Sequence, residues 1–165
     1  MGLPGRRAGF FLISVACAGA MGFAFYAQYV MGLEPCPLCM LQRVGVVAAG
    51  VLALIAGLIN PRRWGFRLWS LLVALAAMAG GAVSIRQLWL QSLPPDQVPQ
   101  CGPGLDYLLQ TLPFTHAMEK ILMGSGECAV VDWRFLGMAM PFWVLTFFVL
   151  VILFVLFQQR PMRAR

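Results

Sequence analysis

The stretch EPCPLCMLQRVGVVAAGVLALIAGLIN, residues 34–60, decides the fold. A Cys-x-x-Cys pair, Cys36 and Cys39, leads to Arg43, and no further charge follows until Arg62. An uncharged apolar run of this length approaches the roughly 20 residues a helix needs to cross about 30 Å of hydrocarbon. Cutting the whole chain at its charges yields four such runs, residues 8–33, 44–61, 68–85 and 135–159. Composition agrees: of 165 residues 61% are hydrophobic and 11% charged, with a mean hydropathy of +0.80, far from a soluble domain. The pattern predicts an all-α membrane protein, a single four-transmembrane-helix bundle over residues 1–165, with spans near 10–31, 41–59, 66–89 and 141–158.

Orientation follows from the charges. Arg6, Arg7, Arg62, Arg63, Arg67, Arg160, Arg163 and Arg165 sit at the two termini and the middle turn, with no acid among them. The positive-inside rule puts these places, both termini included, in the cytoplasm. All six acids, Glu34, Asp96, Asp106, Glu119, Glu127 and Asp132, lie in the remaining segments, with Lys120, Arg134 and the helix-end residues Arg43 and Arg86. That leaves a short first outer loop near 32–40 and a long second one near 90–140. Tyr26, Tyr29, Trp89, Trp133 and Trp143 fall near the outer ends of the spans and Trp64 and Trp69 near the inner turn, where amphipathic rings settle. The net charge of +6 thus reads as topology and affinity for anionic headgroups, not as a nucleic-acid surface. Arg6-Arg7 ahead of an apolar run also resembles a secretory signal, with Ser14-Val15-Ala16-Cys17 a faint cleavage site. The run exceeds the roughly 7 to 15 residues of a signal core, and losing it would leave three spans, so it is read as a span.

Gly45, Ala48, Ala49, Ala53, Ala56 and Gly57 in the second span, and Ala74, Ala77, Gly80 and Gly81 in the third, form small-residue faces that let helices approach closely in lipid. In the long loop, Leu105, Leu108, Leu109 and Leu112, then Met118, Ile121 and Leu122 recur at near-helical spacing, broken by Pro113. Short interfacial helices lying on the outer leaflet are expected there, the alternative being a small soluble subdomain.

The cysteines carry the chemistry. Cys39 sits at or just before the start of the second span, where a helix N-terminus favours the thiolate and makes it the more reactive of its pair. Arg43, four residues on, lies on the same helix face one turn deeper. A permanent cation at the edge of hydrocarbon is costly and marks a function or a partner, unless it merely snorkels to the headgroups. As staples the two cysteine pairs differ: closing four residues yields only about 2 kcal/mol, and closing the 28 from Cys101 to Cys128 about 3.6 kcal/mol. Cys36 with Cys39 is a poor staple and a good redox switch, whereas Cys101 with Cys128 fits either role. A four-cysteine zinc site is a further reading, but the second close pair that structural zinc favours is missing. Cys17, in mid-span, reads as buried packing, and His116 as an interfacial residue.

Together these residues resemble one family. Glu34-Pro-Cys-Pro-Leu-Cys39 with Arg43, Cys101-Gly-Pro-Gly-Leu105, Gly126-Glu-Cys128, and Trp133-Arg-Phe-Leu-Gly137 leading to Met140-Pro141 are similar to the motifs of DsbB, the bacterial inner-membrane disulfide-generating family, over essentially the whole chain. The resemblance implies a Gram-negative inner-membrane enzyme with its active site facing the periplasm. A soluble, DsbA-like thiol oxidase would give its electrons to a Cys101–Cys128 disulfide, which passes them to a Cys36–Cys39 disulfide and on to a membrane quinone, ubiquinone or menaquinone. The link between DsbA, DsbB and quinone is an established property of that family. Cys101 would form the mixed disulfide with the partner, Cys36 would exchange with Cys101, and Cys39 would meet the quinone beside Arg43. Gln42 stands where the family often has an acid, and Ser92 near where some members carry a histidine, so a quinone role does not carry over to either. Arg86, at the outer end of the third span, is a candidate second polar contact for the quinone head, or else a plain interfacial anchor.

Physical reasoning supports part of this. A strongly oxidising dithiol couple, near about −120 mV in DsbA, is not recharged by ordinary thiol couples lying lower, whereas an apolar acceptor in the bilayer would recharge it. No nicotinamide, flavin or haem-attachment fingerprint is present to supply another acceptor. Two other classes remain as alternatives: a membrane reductase sending electrons outward, which would want a cysteine pair nearer the inner face, and a non-enzymatic four-span protein whose disulfides staple its loops.

Overall fold

The structure is a computed structural model and describes residues 5–94, 96–99, 113–124, 126–131 and 133–159. Its frame is α1 (Arg6–Tyr29), α2 (Pro37–Ile59) and α3 (Arg63–Gln91). A short α4 (Phe114–Met123), a 3-10 turn (Gly126–Ala129) and a hairpin of β1 (Arg134–Phe135) and β2 (Met138–Ala139) follow, and α5 (Met140–Gln158) is the last element among the described residues. Helices α1, α2, α3 and α5 are each long and apolar enough to cross a membrane, so the protein is the multi-pass four-helix bundle expected. Of the interfacial helices expected in the long loop, α4 is present, and the segment around Leu105 to Leu112 lies outside the described residues.

Local chemistry sets the boundaries that matter for the site. Pro37 occupies the first turn of α2, where its fixed φ suits a helix and its missing N–H costs nothing. Cys36 is the N-cap, its sulfur accepting the backbone N–H of Cys39 at 3.4 Å, which places Cys39 in the first helical turn. The helix stops at Asn60 in a left-handed conformation (φ 49°), and Pro61 follows it. Only Asn60 to Arg62 separate α2 from α3, so the two run antiparallel.

The helices pack in chain order, α1 on α2, α2 on α3 and α3 on α5, while α1 and α5 barely meet, so one flank of the bundle is open. The small-residue faces work as expected at the α2–α3 crossing, where a Cβ on Gly45 would stand 3.0 Å from the Gly80 Cα. The ring of the fully buried Phe148 lies across this crossing, 2.3 Å from where a Gly80 Cβ would be. Cys17 is buried and packs on Gly50 in the same way, which accounts for a lone mid-span thiol. Outside this core the surface is apolar: Leu12, Val15, Val44, Val51, Leu58, Leu71, Leu150 and Leu153 are all exposed, an arrangement suited to lipid rather than water.

At the end of the bundle carrying the cysteine pair, a second small cluster joins Leu38, Leu90 and Cys128. The hairpin, unanticipated in the sequence, turns through Leu136 (φ 50°) and Gly137 (φ 80°), the two positive φ values a tight hairpin turn requires. It lays Phe135 against Trp133 (centroids 5.9 Å apart) and Trp143 (5.6 Å), with Trp133 reaching Phe23 of α1 (6.1 Å). An aromatic bridge thus spans the open flank at this end only.

Candidate redox site

Three sulfurs form the centre of the site. Cys36 and Cys39 lie 3.2 Å apart, with Cys36 placed to donate to Cys39. Cys128 is completely buried and packs with Leu38 and Leu90 in the small cluster against which Cys36 also rests. The neighbouring thiols, Cys128 first and Cys39 second, together with burial, hold the Cys36 thiol above the ordinary thiol range, so Cys36 keeps its proton. Cys39 sits on the receiving side: besides Cys36 it faces the side-chain N–H of Gln87 at 3.3 Å.

Cys128 owes its position to a chain of contacts through the loop. Arg86 donates from Nε to the Leu122 carbonyl (3.2 Å) and from Nη2 to the Met123 carbonyl (3.0 Å), while its guanidinium stacks 4.3 Å over Trp89. This fastens the C-terminal end of α4 to α3. Gly124 follows with φ 80°, pressed on Leu90 so closely that a Cβ would fall 2.3 Å from Leu90 Cδ1. The 3-10 turn then delivers Cys128, whose carbonyl accepts from Gln91 Nε2 at 3.5 Å.

Arg43 points towards α1, donating to Gln28 Oε1 and to the Ala24 carbonyl (3.1 Å), with Phe25 beneath it at 5.8 Å. A guanidinium has five N–H donors, so capacity remains after these bonds. A cavity of about 440 Å³ lies beside it on the open flank, within the size range of small-molecule sites. Its walls are apolar side chains of α1, α5 and the hairpin, and Cys39, Gln42, Arg43, Gln87, Gln91 and Glu34 supply its polar lining. The Gln91 Oε1 is buried there without a hydrogen-bond partner.

The structure brings Cys36, Cys39 and Arg43 together with Cys128 packed beside them, while Cys101 lies outside the described residues. Arg86 is not among the residues lining the cavity; its Nε and Nη2 donate to the loop. Ser92 is likewise elsewhere, its hydroxyl bonded to the Trp89 carbonyl at 2.7 Å. Gln42 is nearly fully buried and lines the cavity. Sequence reasoning missed Gln87 and Gln28, and the available signal was an uncharged but strongly polar amide at a position facing hydrocarbon.

Known proteins match this chain in sequence. The profile of the family described as "Disulfide bond formation protein DsbB" matches residues 6–158, nearly the whole chain. The chain belongs to the DsbB family. A Disulfide bond formation protein B of Chromobacterium violaceum is 59% identical over 151 residues, covering 92% of this chain and 91% of the relative. Proteins of the same name from Marinobacter nauticus and Hahella chejuensis are 53% and 52% identical, covering 90% and 87% of this chain and 88% and 87% of theirs. Membership of the DsbB family makes the protein a membrane disulfide-forming oxidoreductase.

Proposed function

We propose that the protein is a thiol:quinone oxidoreductase of the bacterial inner membrane that reoxidises a soluble, DsbA-like periplasmic thiol oxidase. One observation carries the proposal: Cys36 and Cys39 stand 3.2 Å apart, Cys128 lies in the small cluster on which Cys36 rests, and Cys39 opens on an apolar cavity beside Arg43. The residues present suit a quinone ring, with apolar walls and a cation beside the thiol. A bound quinone supplies a two-electron, two-proton acceptor that thiol exchange alone lacks.

The chain's own residues perform the rest. Attack by the partner's thiolate on Cys101 breaks the Cys101–Cys128 bond and frees Cys128 as a thiolate. Cys128 then attacks Cys36, forming Cys36–Cys128 and releasing Cys39 as a thiolate; the packing of Cys36 on the cluster that holds Cys128 supports this pair in place of the Cys36–Cys101 exchange that the resemblance implied. The partner's second thiol displaces Cys101, leaving the partner oxidised, and Cys101 returns to Cys128, restoring their disulfide and leaving Cys36 reduced. Cys36 and Cys39 now hold the electron pair. Their reoxidation to a disulfide delivers two electrons and, with the proton from Cys36 and one from solvent, two protons. Arg43 stabilises negative charge on Cys39 and on an oxygen in the cavity.

The test is quinone reduction by purified protein supplied with reduced partner. Cys39→Ser is expected to abolish quinone reduction, and Cys101→Ser to abolish partner oxidation. Native-rate quinone reduction by Cys39→Ser would refute the assignment.

A further inference from the structure

The side chain of Gln87 is almost wholly buried, and both of its amide atoms reach Cys39, Oε1 at 3.6 Å as an acceptor for the thiol and Nε2 closer as a donor. Oε1 accepts the Nε2–H of Gln42 at 2.7 Å, while Nε2 lies 3.4 Å from the Cys36 sulfur and 3.3 Å from the Cys39 sulfur. Of the amide atoms the nitrogen is the nearer to Cys39, the oxygen standing at 3.6 Å. An amide can turn over and present either end, and the two ends act oppositely on a sulfur: N–H stabilises a thiolate, whereas a carbonyl oxygen repels it. A donor from Gln42 engages the oxygen, so turning the amide over would set N–H against N–H and C=O against sulfur. In an apolar interior that reversal leaves two unmatched polar contacts.

We infer that Gln87 is a catalytic residue that stabilises negative charge on the paired sulfurs through its N–H, and that Gln42 is a positioning residue that fixes which end of the Gln87 amide they meet. Because Nε2 is nearly equidistant from the two sulfurs, the same donor serves whichever of them carries the charge as the disulfide opens and closes. No side chain needs to move when charge passes from Cys39 to Cys36. The inference rests on Cys39 as the reactive thiol and not on the identity of the electron acceptor.

The experiment accordingly omits quinone. Fully reduced full-length protein is treated with iodoacetamide, and modification of Cys39 and Cys36 is followed separately by peptide mass spectrometry; thiolate content is read from ultraviolet absorbance on the same samples. Gln87→Met keeps the length of the side chain without its donor, and Cys39 alkylation is expected to fall about tenfold or more, as loss of a hydrogen bond to a charged group implies, with a matching fall in thiolate absorbance. Gln42→Met leaves Gln87 in place but unlocked, and a fall of about two- to fivefold is expected, part of the single-bond effect. Rates and absorbance within twofold of wild type in folded Gln87→Met overturn the role of Gln87, and an unchanged Gln42→Met overturns the orientation lock. If Gln87→Met does not fold, Gln42→Met decides alone: slower alkylation with less thiolate supports the inference, and an unchanged rate overturns it. Loss of quinone reduction with unaltered Cys39 reactivity would instead count against the acceptor site, so the two readings fail separately.

Discussion

Replacing Arg86 by methionine removes the fastening between α3 and the loop that brings in Cys128. The residue makes two hydrogen bonds from a charged donor, to the Leu122 and Met123 carbonyls, and one cation–π contact with Trp89. Buried bonds of this kind are worth about 1.5–3 kcal/mol each, but these are exposed to solvent, so roughly 0.5–1 kcal/mol apiece is the appropriate range. The cation–π contact at an exposed site adds about 0.5–1 kcal/mol. The sum, about 2 kcal/mol, corresponds to a roughly 30-fold smaller ratio of docked to undocked loop. The Leu38–Leu90–Cys128 cluster remains, so the loop is loosened and not released. Amide hydrogen exchange across residues 118–129 should accelerate by about that factor, relative to α2 and α3 in the same sample. The rate at which Cys36 and Cys128 form a mixed disulfide should fall in parallel, while reduction of quinone by a small dithiol acting directly on Cys36 and Cys39 stays near wild type. Unchanged protection and an unchanged exchange rate would refute the clamp. A raised KM for quinone with normal loop protection would show instead that Arg86 serves the quinone head, the role its position in the sequence first suggested.

Arg43→Met should raise the KM for quinone about tenfold, the loss of one charge-assisted bond, and steady-state kinetics in nanodiscs would show it as a KM effect larger than any change in folding. Gly80→Val forces atoms into space held by the Phe148 ring and the Gly45 face, and should destabilise the bundle by about 1–3 kcal/mol or more, measurable as a lowered midpoint of denaturant-induced unfolding in micelles.

Whatever depends on local spacing could be read before any coordinates. Four spans follow from run lengths between charges, and Cys39 was legible at or just before the start of the second span, which the structure begins earlier, at Pro37. Arg43 follows from the four-residue offset. Contacts between distant positions could not be read in this way: Gln87 is 48 residues from Cys39 and carries no charge or motif, and nothing in spacing says that Cys128, rather than another thiol, rests on Cys36. Arg86 illustrates the same limit from the other side, since its depth at the end of α3 was legible but the direction of its donors depends on where α4 ends. The hairpin escaped notice because Phe135 to Ala139 carries no charge and merges with the apolar run of α5. A glutamine in a span is itself a clue, and the buried Gln42 and Gln87 and the half-buried Gln28 lie on the helices that surround the thiols.

The gap between α1 and α5 makes the neighbouring acyl chains, not the aqueous phase, the reservoir from which the cavity is filled. Saturation should then track moles of acceptor per mole of phospholipid, and diluting a proteoliposome suspension with buffer should leave turnover per molecule untouched, whereas fusing it with acceptor-free vesicles should depress it.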